Sequence, residues 1–92
     1  MPANIRNVAK VTADAQVNSG LTIIYWVAAS AGGTGGNFEF NNALTDTSSD
    51  EFVIDMPANS VFFAQFNPPL EFRTGLYVDV PGTNLTVNIG YH

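Results

Sequence analysis

The chain has no cysteine and very few charged residues. Its 92 residues include three Lys or Arg, eight Asp or Glu and one His, which gives a net charge of −5 at pH 7. Without thiols there is no disulfide framework, no thiolate nucleophile and no thiolate metal ligand. A nucleic-acid-binding surface needs several cations to neutralise phosphates, and an anionic membrane surface attracts the same residues. We therefore predict that neither nucleic acid nor a membrane is a partner.

Long apolar runs are also missing. The longest one, residues 23–29, is far shorter than the roughly 20 residues that span a bilayer. The first residues do not pair a basic stretch with an apolar one, so we predict no signal peptide. A chain of this length forms a single domain.

Groups that could perform catalysis are scarce. His92 is the only histidine and the last residue, so a Ser-His-Asp arrangement would depend on a chain end. Paired carboxylates can hydrolyse glycosides, but one of them must be buried to raise its pKa. The acidic residues that cluster in sequence lie in a Ser/Thr-rich turn, which we expect to be solvated. They are Asp46, Asp50, Glu51 and Asp55.

We predict that the protein is not an enzyme and has no catalytic, metal-binding or cofactor-binding residues. The acidic turn lacks the spacing and glycine of an EF-hand, so a solvated turn is favoured over a weak cation site. The glycine-rich segment 32–36 lacks the Lys-Ser/Thr of a P-loop and no helix follows it, so it is interpreted as a strand connection.

The hydrophobic pattern has a period of two, which is typical of β-strands with one buried face. It runs without a break through residues 9–17 and returns in short segments between Gly, Pro and Asn turns. We predict an all-β fold, an antiparallel β-sandwich of jelly-roll or Ig-like type with about seven to eight strands. Segments 76–80 and 85–91, with a turn at 81–84, are predicted to form a β-hairpin.

The strand predicted at 21–29 is apolar on both faces, so it is central in its sheet or contacts another chain. Strict alternation places Ile24 and Trp26 on one face with Thr22 and Ala28. An exposed apolar row there would be a subunit contact, so we predict a homo-oligomer. The large aromatic side chains are otherwise interpreted as core rather than as sugar-stacking surfaces.

The domain is predicted to occupy residues 9–92, with residues 1–8 as an N-terminal arm that does not alternate. Arg6 and Lys10 are two of the three cations in an acidic chain, an asymmetry that can steer docking onto an acidic surface. We hypothesise that the arm becomes ordered on a partner, with Ile5 and Val8 as apolar anchors. A solvated tail whose charges only aid solubility is the alternative.

A family resemblance lies mainly in the C-terminal part. Residues 72–80, Phe-Arg-Thr-Gly-Leu-Tyr-Val-Asp-Val, followed by 85–91, Leu-Thr-Val-Asn-Ile-Gly-Tyr, resemble the closing hairpin of small all-β structural proteins of tailed bacteriophages. The Leu-Thr-Ile-Ile-Tyr segment at 21–25 and the Ile-Asp-Met-Pro-Ala corner at 54–58 fit the same plan. Among such proteins the sequence is most similar to capsid decoration (cement) proteins.

The resemblance implies a non-enzymatic virion protein on the outer capsid surface, which binds the major capsid protein and stabilises the shell. It also implies a homo-oligomer, with a trimer favoured. The alternative function is a carbohydrate- or receptor-binding module of a phage tail fibre or an adhesin. The residues predicted to contact partners are Ile5, Arg6, Val8, Lys10, Ile24 and Trp26.

Overall fold

A computed structural model describes residues 7–44, 50–80 and 84–92, without the side chains of residues 50 and 51. Every regular element in this part of the chain is a β-strand, which confirms the predicted all-β class. The strands are β1 (Asn7–Val11), β2 (Ala15–Ser19), β3 (Thr22–Ala31), β4 (Gly36–Asn42), β5 (Asp50–Met56), β6 (Val61–Phe72), β7 (Gly75–Asp79) and β8 (Leu85–Tyr91). The described residues contain no helix long and apolar enough to cross a membrane.

The strands form two four-stranded antiparallel sheets that face each other. Sheet A has the order β1-β8-β3-β6 and sheet B the order β2-β7-β4-β5. The first strand pairs with the eighth, the second with the seventh, the third with the sixth and the fourth with the fifth. This is one long antiparallel ribbon rolled onto itself, so the sandwich is a jelly roll rather than an Ig-like fold.

The core lies between the sheets and is rich in aromatic side chains. Alternate residues of the inner strands are fully buried, because each strand turns one face to the opposite sheet. Rings from the two sheets are in contact, with Phe40 and Phe72 at 6.3 Å between centroids and Phe52 and Phe66 at 5.5 Å. The core residues are Val11, Ile24, Val27, Ala29, Phe38, Phe40, Met56, Phe72, Leu76, Val78, Val80, Leu85, Val87 and Ile89.

The alternating segment 9–17 is not one strand. The chain leaves sheet A after Val11 and enters sheet B at Ala15. Asp14 fixes this corner, because its carboxylate accepts a hydrogen bond of 2.7 Å from the Val80 N–H. The crossing keeps the alternation in phase, since both strands turn their apolar face to the same core. The sequence pattern therefore passes through the corner without a break.

The predicted C-terminal hairpin is wrong. β7 lies in sheet B between β2 and β4, whereas β8 lies in sheet A between β1 and β3. Both strands turn alternate apolar residues into the core, but each finds its hydrogen-bond partners far away in the sequence. The sequence pattern does not distinguish a hairpin within one sheet from a connection between two sheets, because both consist of two alternating strands joined by a turn. Most of the predicted turn, residues 81–83, lies outside the described residues.

Pro68 and Pro69 interrupt the pairing of β6 but do not end the strand. Gln65 pairs with Trp26, and Leu70 pairs with Ile24. Residues 66–69 therefore have no register partner in β3. Proline has no N–H to donate, which is why the ladder is interrupted at this point. β6 then resumes pairing with β3 up to Phe72.

Candidate binding surfaces

The outer face of sheet A exposes several large apolar side chains and few charges. Cross-strand register places its residues in three rows. Val8, Gly90, Trp26 and Gln65 form the first row. Lys10, Asn88, Ala28 and Phe63 form the second, and Thr86, Ser30 and Val61 form the third. We call these residues the A face. Val8, Val61 and Phe63 are the large hydrophobic residues that it exposes.

A β-bulge decides which side of β3 faces out. The register of β3 shifts between Ile24 and Trp26 against both neighbouring strands. One extra residue, Tyr25, reverses the alternation from there on, so Ile24 is completely buried while Trp26 lies on the A face. The prediction that Thr22, Ile24, Trp26 and Ala28 share a face is therefore wrong.

The Trp26 indole lies directly over the backbone of Gly90. A Cβ placed on Gly90 would collide with the indole nitrogen of Trp26 and with an adjacent ring carbon. Glycine is thus the residue that lets the ring lie flat against β8. This contact fixes the largest side chain of the A face.

We expect Gly90→Ala to lift the Trp26 ring away from β8 and to lower the free energy of unfolding by about 1–3 kcal/mol, as overpacking does. Trp26 is the one tryptophan, so its fluorescence reports the change directly. The emission should shift to longer wavelength as the ring becomes more solvated. Thr86→Ala, on the same face of β8, serves as the control. Unchanged emission in Gly90→Ala would contradict the packing.

Two depressions lie on the surface. The smaller, about 260 Å³, is on the A face, where small residues of β3 leave room beside the exposed side chains of β6. The second, about 640 Å³, is an open groove where β4 and β5 meet, with Asp55 as its one carboxylate. The smaller depression is lined by Ala28, Ala29, Ser30, Val61, Phe62, Phe63 and Asn88.

Sheet B has the opposite electrostatic character. Its four strands contain five acidic residues and no lysine or arginine, whereas those of sheet A contain one Lys and one Glu. Glu39 of β4 stands directly opposite Asp79 of β7, and Asp55 of β5 is exposed. The sandwich therefore has one acidic side and one almost neutral, apolar side.

The predicted contact residues fall into three groups. Val8 and Lys10 are exposed on the A face, and Trp26 joins them there, with Val8 and Trp26 on either side of Gly90. Ile24 is in the core and is not available to a partner. Ile5 and Arg6 lie outside the described residues. Val8 belongs to β1, so this strand already includes the last two residues of the predicted arm.

The exposed residues of β6 were not predicted as contact residues. Val61 is 83% and Phe63 66% exposed. Alternation places them together on one face, but it does not say which face is outside. A signal was present in the sequence, because no charged residue occurs between Asp55 and Glu71. An uncharged stretch of this length is unusual on a solvated strand.

In the described residues, no three His, Asp or Glu side chains are placed to hold a metal ion. Asp46 and the side chains of Asp50 and Glu51 are outside this description. His92 continues the pairing of β8, since its backbone N–H and C=O both bond to Ile23 at 2.8 and 3.1 Å. Its side chain is exposed at the end of sheet A.

Comparison with known proteins found no matching family model, no matching curated protein and no matching solved structure.

Proposed function

We propose that this chain is a non-enzymatic virion structural protein, a capsid decoration protein that binds the outside of a shell of major capsid protein through its A face. The asymmetry of the sandwich is the observation that carries the proposal. The A face exposes Val8, Val61 and Phe63 and has Lys10 as its charge, and the opposite sheet contains five of the six acidic residues in the strands.

The A face has the properties of a protein-binding surface. It combines exposed valine and phenylalanine side chains with an anchored tryptophan, and charged residues are nearly absent from it, as in the cores of interfaces. A broad, four-stranded face suits contact with a protein surface. Docking by this face leaves the acidic sheet in water, where its charge keeps decorated particles apart.

The fold supports the proposal only as an analogy. Jelly rolls include viral capsid domains and lectins, and a fold does not by itself determine a function. The sequence resemblance to phage decoration proteins favours the first of these groups. Stabilisation of the shell would follow from simultaneous contact with neighbouring capsid subunits.

The test is co-sedimentation with shells assembled from the major capsid protein of the same genome. We expect Val8→Glu, which places an acid beside Lys10 on the A face, to weaken binding by more than tenfold. Val53→Glu is the matched control, because Val53 is an exposed valine on the outer face of sheet B and is expected to leave binding unchanged. Equal binding by both variants, or a genome without a capsid protein, would overturn the proposal.

A carbohydrate-binding module is the second candidate, supported by the depression on the A face. Its lining includes Phe63, Ser30 and Asn88, so an aromatic ring, a hydroxyl and an amide border the same opening. Sugars bind to aromatic faces flanked by such hydrogen-bonding groups. Glycan-array binding by the isolated chain that is lost in Phe63→Ala, together with no shell binding, would favour this function over decoration.

A further inference from the structure

β6 is an edge strand whose outward backbone groups can be identified. The Ala31 N–H donates to the Ser60 C=O at 2.9 Å, so Ala31 directs its backbone groups toward β6. In an antiparallel pair such residues alternate, so Val27 and Ala29 also bond to β6. Their register partners are Ala64 and Phe62, respectively.

The residues of β6 that alternate with Ala64 and Phe62 direct their backbone groups the opposite way. Val61, Phe63 and Gln65 direct their N–H and C=O groups away from β3, along an edge of sheet A that no other described strand covers. An edge of this kind is a template for a further strand. Proteins usually block it with charges, proline or a covering loop, but residues 61–66, Val-Phe-Phe-Ala-Gln-Phe, contain neither charge nor proline.

The side of the sandwich beneath this edge is also open. The inward residues of β6 before Phe72 are only half-buried, although they pack on the core. Phe52 of β5, the edge strand of sheet B, is half-buried as well and contacts Phe66. A seam of partly exposed apolar side chains therefore runs along one flank. It consists of Phe52, Ile54, Phe62, Ala64, Phe66 and Leu70.

We propose that β6 pairs antiparallel with β6 of a second copy, so that two sandwiches share one continuous eight-stranded sheet. Charge permits this edge, because two copies with a net charge of −5 repel one another where acids meet, and residues 56–70 carry none. The edge strands β1 and β2 also lack acids, but each has five residues, so β6 offers the longest uncharged edge. The pairing rests on the β6 edge and does not depend on shell binding.

The segment is also complementary to itself. A two-fold axis at Phe63 lets Val61, Phe63 and Gln65 each exchange both outward backbone hydrogen bonds with the second copy. Phe63 then lies opposite Phe63 of the second copy, and the two rings form an aromatic cross-strand pair. On the inner side, Phe62 meets Ala64 of the second copy, a large residue opposite a small one. The pair joins two A faces into one surface of twice the width.

The test is the mass in solution by sedimentation equilibrium. The 9.8 kDa chain is expected at twice that mass at micromolar concentration. Phe63→Lys places two cations opposite each other at the axis and is expected to weaken self-association by more than tenfold. Val8→Lys is the matched control, since Val8 is 64% exposed on β1 at the opposite edge of the same face. It should remain a dimer.

A backbone variant separates edge pairing from side-chain contact. Gln65→Pro removes an outward N–H without removing one that bonds to β3, and is expected to be monomeric. Gln65→Ala keeps the N–H and should dimerise, and circular dichroism verifies that all variants keep their strands. A monomeric parent chain, a trimer, or a Phe63→Lys variant that dimerises like the parent would overturn the inference. Dimers that do not bind shells would overturn only the decoration function.

Discussion

Phe40→Ala is expected to lower the free energy of unfolding by about 3–5 kcal/mol, the usual cost of truncating a buried phenylalanine. Phe40 is completely buried at the centre of the core. Its ring contacts Phe38, Phe52 and Phe72, with centroids 5.6, 5.4 and 6.3 Å away. Because these rings come from both sheets, the cavity would weaken the contact that joins the two halves of the sandwich.

The expected loss is a large fraction of the total free energy of unfolding of the domain. At about 0.05–0.15 kcal/mol per residue, a 92-residue domain has roughly 5–14 kcal/mol of stability. Chemical denaturation should therefore show a much lower midpoint for Phe40→Ala, or a chain that is already unfolded in buffer. Leu21→Ala is the control, because Leu21 is 55% exposed and its truncation should stay within about 0.5 kcal/mol. Similar midpoints for the two variants would contradict the assignment of the core.

Gly35→Ala should destabilise the fold by about 2–5 kcal/mol. Gly35 has a φ of +68°, a conformation that costs an L-residue about 1–2 kcal/mol. In addition, a Cβ at this position would lie 2.5 Å from the Met56 carbonyl oxygen and 2.8 Å from the Ala58 nitrogen. These are backbone atoms at the end of β5, so they cannot rotate aside, and overpacking adds about 1–3 kcal/mol.

The same loop provides a matched control. Gly33 has no positive φ, and a Cβ there would meet no atom within 4 Å. Gly33→Ala should therefore be neutral or stabilising by up to about 1 kcal/mol, because alanine restricts the unfolded chain. Thermal melts of the two variants give the comparison. Equal melting temperatures would show that residues 32–36 do not have the conformation described.

The loop also shows how a prediction from composition was modified by the fold. Its glycines indicate a connection, and the structure does place a turn at 33–34 between β3 and β4. Three hydrogen bonds hold it, since the Gly32 N–H donates to the Asn84 C=O and the Gly32 C=O accepts from the N–H groups of Gly35 and Asn59. A glycine-rich sequence is consistent with a tightly bonded loop when the partners come from distant segments.

Alternation alone determined the all-β class, the inward positions of most strands and the location of most turns. It did so because burial on one face of a strand is a local property that repeats every second residue. The arm hypothesis and the charge asymmetry named Val8 and Lys10 as candidate contact residues, alternation named Trp26, and the structure brings the three onto one face. Their proximity could not be predicted, since they come from the first and third strands of the chain.

The tertiary structure decided the partners of each strand. The corner after Val11 and the separation of β7 from β8 leave no mark in the sequence, because strands in either sheet turn an apolar face to the same core. The bulge at Tyr25 moved Ile24 inward and left Trp26 outside, since one extra residue exchanges the two faces. Hydrogen-bond pairing between distant segments fixes both features, and a local periodicity contains no information about distant partners.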